Sequence, residues 1–375
     1  MKLITARLVF STLAILIIIS GCAGPTTKRP DTDDAAVALE AQKQREFAVK
    51  EAIRNQQRLS TVGWPILIEG LPLCVDKNRW ATGAFFANKF DFPKEMQDTA
   101  ISYLHMSDVL QAHTVIENSP ADMAGIKEGD LIIKVNDREA PVGEGASNKL
   151  SEIVKEELKD GKDIRFAVRR DEVQETFNIS PVKICDYPLV VVNRDDVNAF
   201  ADGNNIIVFQ GMMDFARTDE ELSMVVAHEL AHNNMRHIEA KKTNFFIGLL
   251  FDVLITGLTG VDLGIRNAAA GAYSKEFEAE ADYVGMYILA RAGMGLDNAP
   301  EFWRRMGARN PTSIEDNYLA SHPSTPERFV SLEESIKEIK LKQDSGQELM
   351  PNIDEETWGK REAPPPTPSS LSFGR

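Results

Sequence analysis

The stretch "VVAHELAHNNMRH", Val225 to His237, decides how the rest of the chain is read. His228 and His232 stand four residues apart, so on an α-helix they share one face, one turn from each other. Glu229 directly follows the first of them. Three of the six histidines in the chain fall within this stretch. Two neutral imidazoles on one helix face can hold a metal ion, and a carboxylate beside the first can reach a metal-bound water from the side. The alternative is an ordinary helix that happens to carry two histidines. The apolar setting weighs against it, because unpaired polar groups on a buried helix are costly.

A catalytic zinc takes three protein ligands and leaves one position for water. The segment "SKEFEAEADYVGMYILARAGM", Ser274 to Met294, predicts a long helix that carries Glu278, Glu280 and Asp282. Glu278 and Asp282 share a face, whereas Glu280 lies on a different side. Two carboxylates turned toward two histidines make electrical sense only with a cation between them. Glu278 is the expected third ligand. Asp282 is expected to accept the remaining ring proton of a ligand histidine, which fixes the tautomer and raises basicity.

Around these helices the chain alternates between apolar runs and turns. "YPLVVVNRDDVNAFADGNNIIVFQGMMDF" contains two strand-like runs before the histidine helix. Thr218 or Asp219 is placed to cap that helix, with Glu220 and Glu221 in its first turn. Further helices are expected over residues 298–309 and 326–342. Phe245 to Ile265 is strongly apolar but broken by glycine and aspartate. It reads either as a buried helical hairpin or as a patch leaning on a membrane. The proline- and serine-bearing tail, 362–375, reads as disordered.

Before the catalytic segment lies a stretch of different character. "VIENSPADMAGIKEGDLIIKVNDREA", Val115 to Ala140, predicts a strand, a short helix from Ser119-Pro120, turns at Gly125 and Gly129, and a second strand. A longer helix over Asn148 to Leu158 and a hairpin from "DIRFAVRRD" and "VQETFNIS" follow. This pattern resembles a PDZ domain of the bacterial protease type. The resemblance implies binding of an extended peptide by strand addition, with a C-terminal peptide as the candidate ligand. "RWATGAFFANKF", Arg79 to Phe90, would supply the carboxylate-binding loop and the receiving strand, although it departs from the usual G-L-G-F signature.

Four separated motifs, "NAFADGNNIIVFQGMM", "ELSMVVAHELAHNNMRH", "YSKEFEAEADYVG" and "HPSTPERF", together resemble the gluzincin-type zinc metallopeptidases. These include the CAAX prenyl proteases, the heat-shock protease HtpX and periplasmic lipoprotein proteases of outer-membrane quality control. The resemblance implies one Zn2+ held by His228, His232 and Glu278, with Glu229 as the catalytic glutamate and Asp282 as the supporting aspartate. It implies that His322 lies near the metal, stabilising the reaction or capping the open site, and that Arg328 orients the acidic residues. Where relatives often carry glycine before the second histidine, this chain has Ala231. The segment Asn204 to Gln210 is expected along the cleft edge, where a substrate strand could add.

The first 22 residues, "MKLITARLVFSTLAILIIISGC", pair a short basic region with an apolar run. The ending resembles a bacterial lipoprotein signal, which implies lipidation of Cys22 and an outer-membrane anchor facing the periplasm. Cys74 and Cys185 lie 111 residues apart in what is then an oxidising compartment. A bridge between them would staple the two ends of the PDZ-like insert. The full chain has 57 acidic and 42 basic residues, a surface that excludes nucleic acid as a partner.

The expected fold class is α+β: a mainly helical zincin metallopeptidase domain with a small edge sheet, plus an inserted, β-rich PDZ-like domain. The expected segments are a signal peptide (1–21), a tether (22–35), bracing helices (36–74), the PDZ-like domain (75–180), the metallopeptidase domain (181–345) and a largely disordered extension (346–375). The expected activity is hydrolysis of peptide bonds in unfolded or misassembled envelope proteins. Two other classes stay open: a chaperone or assembly factor with a rarely active zinc site, and a PDZ-led peptide-binding scaffold.

Overall fold

The computed structural model describes residues 26–27, 29–74, 76–240, 274–309 and 326–354. Cys22 and the signal segment, Phe245 to Ile265, His322 and residues 362–375 lie outside the described residues. The chain divides into compact units at 46/47. No described helix is long and apolar enough to cross a membrane.

Helix α1 spans Asp34–Glu69 and runs on through Pro65. A proline inside a helix removes one backbone bond. Burial of Leu59, Val62, Trp64, Ile66 and Leu67 in the main core outweighs that loss. Three consecutive side chains of α1 then fasten different parts of the molecule. Gln57 donates to the His113 carbonyl at 2.9 Å and to Glu128 at 2.8 Å. Arg58 reaches Asp219 at 2.8 Å. Gln56 donates to the Leu189 carbonyl at 2.9 Å and accepts from the Val191 N–H at 3.0 Å.

Next come β1 (Asn78–Ala81), β2 (Ala84–Ala87), α2 (Lys94–Leu104), β3 (Gln111–Val115), α3 (Pro120–Ala124), β4 (Leu131–Val135), β5 (Arg138–Glu139), α4 (Ala146–Glu157), β6 (Ile164–Arg170), β7 (Val173–Ile179) and β8 (Val182–Cys185). Strands β2-β3-β4-β6-β7 form one sheet, with β5 alongside β4. Its inward residues Leu110, Ile132, Ile164, Phe166 and Ile179 make a core separate from the main one. The motif residues explain the turns. Ser119 caps α3 by accepting from the Asp122 N–H at 3.3 Å. Gly125 adopts φ 104°, which side-chain-bearing residues rarely tolerate. Buried Asp130 takes a bidentate pair from Arg170 at 2.6 Å for both bonds.

The ends of this insert are joined twice. β1 pairs antiparallel with β8, placing Asn78 opposite Cys185. Cys74 and Cys185 form a disulfide, with Cα atoms 5.8 Å apart.

The remaining elements are β9 (Leu189–Val192), β10 (Ala199–Ala201), β11 (Ile206–Phe209), α5 (Gln210–Phe215), α6 (Asp219–Asn234), α7 (Ser274–Arg291), α8 (Ala299–Gly307) and α9 (Pro326–Asp344). Three strands form here, not two, and their order corrects one expectation. β11 is the central strand, antiparallel to β10 and parallel to β9. Both its edges are taken, so no substrate strand can add to Asn204–Gln210. The β-branched run of β9 fills the position, and Gln56 in turn occupies the backbone groups of Leu189 and Val191 on β9. Residues 346–354 continue from α9, and Leu349, Met350 and Ile353 pack on the main core.

Candidate metal centre

The centre is built on α6 and α7. Thr218 caps α6 by accepting from the Glu221 N–H at 3.2 Å. Every residue from Leu222 to Asn234 is buried, so the polar groups of this helix must find partners inside the protein. Gly285 lets α7 come close: a Cβ there would sit 3.3 Å from the Ala227 carbonyl and the His228 nitrogen.

His228, His232 and Glu278 meet, each fully or almost fully buried. The two Nε2 atoms are 3.1 Å apart. Glu278 Oε2 lies 3.3 Å from His228 Nε2, and Glu278 Oε1 lies 3.3 Å from His232 Nε2. A tetrahedral zinc with bonds of about 2.0–2.1 Å has ligand atoms roughly 3.3 Å apart. The donor atoms of these three side chains are close enough together to share one such ion.

Asp282 stands behind His228, with Oδ1 3.0 Å from Nδ1. Arg328, from α9, grips both oxygens of Asp282 at 2.8 Å. Its third nitrogen lies 3.4 Å from Glu278. Burial pushes Asp282 up, but Arg328 and His228 outweigh it and hold the carboxyl below its usual range. Burial lowers His228, yet Asp282 and Glu278 overcome this and push it up to about 10. Facing two carboxylates, the imidazole demands a positive charge, whether proton or metal. Trp303 closes another side of His228, with ring centroids 5.2 Å apart. Glu229 is buried and contributes to raising Arg328.

Of the expected site residues, His228, Glu229, His232, Glu278, Asp282 and Arg328 are all brought to this buried region. Two further residues escaped the sequence reading. His237 Nδ1 lies 2.8 Å from His232 Nδ1, and His237 Nε2 lies 2.8 Å from Glu280 Oε2. The third histidine of the opening stretch was the available signal. On a continuous helix, five residues would carry it off the face of His232. Instead α6 ends at Asn234, and Arg236 takes φ 56°, turning His237 back. Asn233 was also missed. Its side chain accepts from the Gly203 N–H at 2.9 Å and donates to the Asn205 carbonyl at 3.1 Å, tying the β10–β11 turn to α6.

A histidine pair and a glutamate donated by two packed helices, with an aspartate one turn beyond the glutamate, are the arrangement expected of a gluzincin-type metal site. Residues 164–336 match Peptidase family M48, and residues 100–180 match the PDZ domain. Over these residues the chain is similar to peptidase family M48, a family of zinc metallopeptidases, and to a PDZ domain.

Among curated proteins, the mitochondrial metalloendopeptidase OMA1 of Arabidopsis thaliana is 30% identical over 146 residues, 38% of this chain and 30% of that protein. Its namesake from Schizosaccharomyces pombe is 26% identical over 189 residues, 48% of this chain and 54% of that one. The beta-barrel assembly-enhancing protease of Yersinia pestis is 25% identical over 167 residues, 40% of this chain and 34% of that one. The chain thus spans between 30% and 54% of the length of these relatives. The HtrA3 PDZ domain bound to a phage-derived ligand is 25% identical, covering 28% of this chain and 88% of its own, with a TM-score of 0.21.

Proposed function

We propose that this chain is a zinc-dependent endopeptidase acting on unfolded or misassembled polypeptides of the bacterial cell envelope. The observation that carries this is the convergence of His228, His232 and Glu278, with the two Nε2 atoms 3.1 Å apart and a Glu278 oxygen 3.3 Å from each. Charge supports a single ion. Among the described residues, three carboxylates, those of Glu229, Glu278 and Asp282, are buried in this region with the single cation of Arg328. A divalent cation offsets negative charge there, and buried charge without compensation is costly.

When bound, zinc supplies Lewis-acid polarisation of the scissile carbonyl and acidification of water at its open position. The protein supplies the rest. His228, His232 and Glu278 hold the ion. Glu229 takes a proton from the attacking water as general base and returns it to the leaving amine nitrogen as the C–N bond breaks. Asp282 accepts from His228 Nδ1–H and keeps its Nε2 lone pair facing inward. Arg328 fixes Asp282 through two hydrogen bonds. His322 is assigned stabilisation of the oxyanion or capping of the open site.

The PDZ domain is read as a capture site for a polypeptide end. β2 is an edge strand, and a cavity of 1090 Å³ lies between β2, α4 and α1. Phe85, Phe86, Leu150 and Trp64 are among its walls. A peptide adding to β2 fits the PDZ mode of binding. The lipoprotein-like ending at Cys22, together with relatives named for beta-barrel assembly, supports an anchored enzyme at the outer membrane facing the periplasm.

The test uses the lipid-free chain with unfolded casein. Cleavage is expected, and a chelator abolishes it. Glu229→Gln is expected to retain zinc while losing cleavage. Undiminished cleavage by that variant removes Glu229 from its role. Zinc binding without any cleavage by the unsubstituted chain favours the assembly-factor reading, and peptide binding that survives zinc removal favours the PDZ-led one.

A further inference from the structure

We propose that His237 and Glu280 form a hydrogen-bonded relay that positions the metal ligand His232, an inference that rests on the metal-centre reading above. His232 turns Nε2 toward His228 Nε2 and Glu278, at 3.1 and 3.3 Å. A ring offering that lone pair to a cation carries its proton on Nδ1. His232 Nδ1–H therefore donates to His237 Nδ1, 2.8 Å away. His237 then carries its own proton on Nε2, where it donates to Glu280 Oε2 at 2.8 Å. An ionised carboxylate only accepts, so every donor in the chain meets an acceptor. The opposite arrangement fails twice. It places a proton on His232 Nε2, against the cation, and sets a His237 lone pair against a carboxylate.

The packing holds this relay in place. His237 is fully buried and stacks on Phe277, with centroids 4.6 Å apart and planes at 18°. The Glu280 side chain is 35% exposed, so water reaches its carboxylate. Both ligand histidines thus lean on carboxylates of α7. Asp282 supports His228 directly. Glu280 lies on another side of that helix, and the imidazole of His237 spans the gap to His232. The left-handed turn at Arg236 makes this possible. His237 and Glu280 are positioning residues: they act on the metal through His232 and touch no substrate.

The test is zinc affinity of the full chain, measured by competition with a chromophoric chelator, with circular dichroism as a folding control. His237→Phe keeps the stack on Phe277 but removes both hydrogen bonds. It is expected to weaken zinc binding about 10- to 100-fold. His237→Gln offers an amide oxygen to His232 and an amide N–H to Glu280, and is expected to recover most of that loss. Glu280→Gln is expected to weaken binding in the wild-type background and to change nothing beside His237→Phe. Zinc affinity of His237→Phe within about twofold of wild type, or independent effects of the two substitutions, overturns the relay. If His237→Phe does not fold, wild-type affinity in Glu280→Gln overturns it instead. Failure of the unsubstituted chain to bind zinc overturns the metal centre itself, so the two readings fail separately.

Discussion

Arg328 and Asp282 form a bidentate pair in which Nε and Nη2 each lie 2.8 Å from a different carboxylate oxygen. One of those oxygens also receives His228 Nδ1 at 3.0 Å. The guanidinium therefore orients the carboxylate that orients the metal ligand, through a rigid fork that a lysine cannot reproduce. Arg328→Ala leaves Asp282 buried without its countercharge. Such a break costs about 3–5 kcal/mol, to be read from denaturant unfolding of the zinc-loaded protein. Asp282→Asn is expected to keep the fold and lower zinc affinity about 10- to 100-fold, because an amide no longer enforces the proton on Nδ1. An unfolding midpoint unchanged in Arg328→Ala would remove this pair from the account.

Gly285 sets the spacing between the ligand-bearing helices. A Cβ at this position meets the backbone of Ala227 and His228 at 3.3 Å, and backbone cannot swing aside as a side chain can. Gly285→Ala is expected to push α7 from α6, costing about 1–3 kcal/mol of overpacking. Because Glu278 and Asp282 ride on α7, zinc affinity is expected to fall as well. Measured together, stability and affinity should drop in the same variant. Loss of neither would show that the contact is slack.

The periodic part of this arrangement was legible in the sequence, and the part created by irregular backbone was not. His228, His232, Glu278 and Asp282 follow from the four-residue spacing of a helix, which fixes a shared face before any tertiary contact is known. His237 depends on a helix ending at Asn234 and on positive φ at Arg236, an arginine that gives no local signal for it. Strand order was equally hidden. Both β9 and β11 are short apolar runs, and only the folded pairing places β11 in the middle. Gln56 occupies backbone groups of β9 from a helix 133 residues away in sequence, a contact no local pattern records.

Acid sensitivity is expected at the start of the histidine helix. Arg305 clamps Glu221 with bonds of 2.8 and 2.7 Å, and the Arg217 N–H adds a third at 2.8 Å. The Arg305 hydrogen bonds are the main cause holding the Glu221 carboxyl below its ordinary value of 4.5, against the opposing effect of burial. A carboxyl depressed in the folded state stabilises the protein above its unfolded pKa. That contribution is lost as pH falls below 4.5 and through the folded value. Thermal unfolding followed from neutral pH downward should show wild type losing stability over this range. Glu221→Gln should start lower and fall less. Parallel curves for the two proteins would exclude Glu221 as a source of the acid slope.

The disulfide should matter through the insert it closes. Cys74 and Cys185 are separated by 111 positions, and the segment between them contains the PDZ match, residues 100–180, and strands β1 and β2. Cross-linking a loop of that length restricts the unfolded chain by about 4–5 kcal/mol in the chain-entropy treatment, with measured values more often about 2–4. In the folded state the β1–β8 pairing already holds the same two ends together. Removing the bridge by Cys74→Ser with Cys185→Ser should therefore leave the native arrangement standing while lowering stability by about 2–5 kcal/mol in denaturant unfolding. Zinc affinity should be unchanged at temperatures where the variant stays folded, because none of the three ligands lies in the looped segment. A variant as stable as wild type would show that the β1–β8 pairing alone restrains the ends. A variant that stays folded but loses zinc would show that the disulfide instead holds the metal centre in shape.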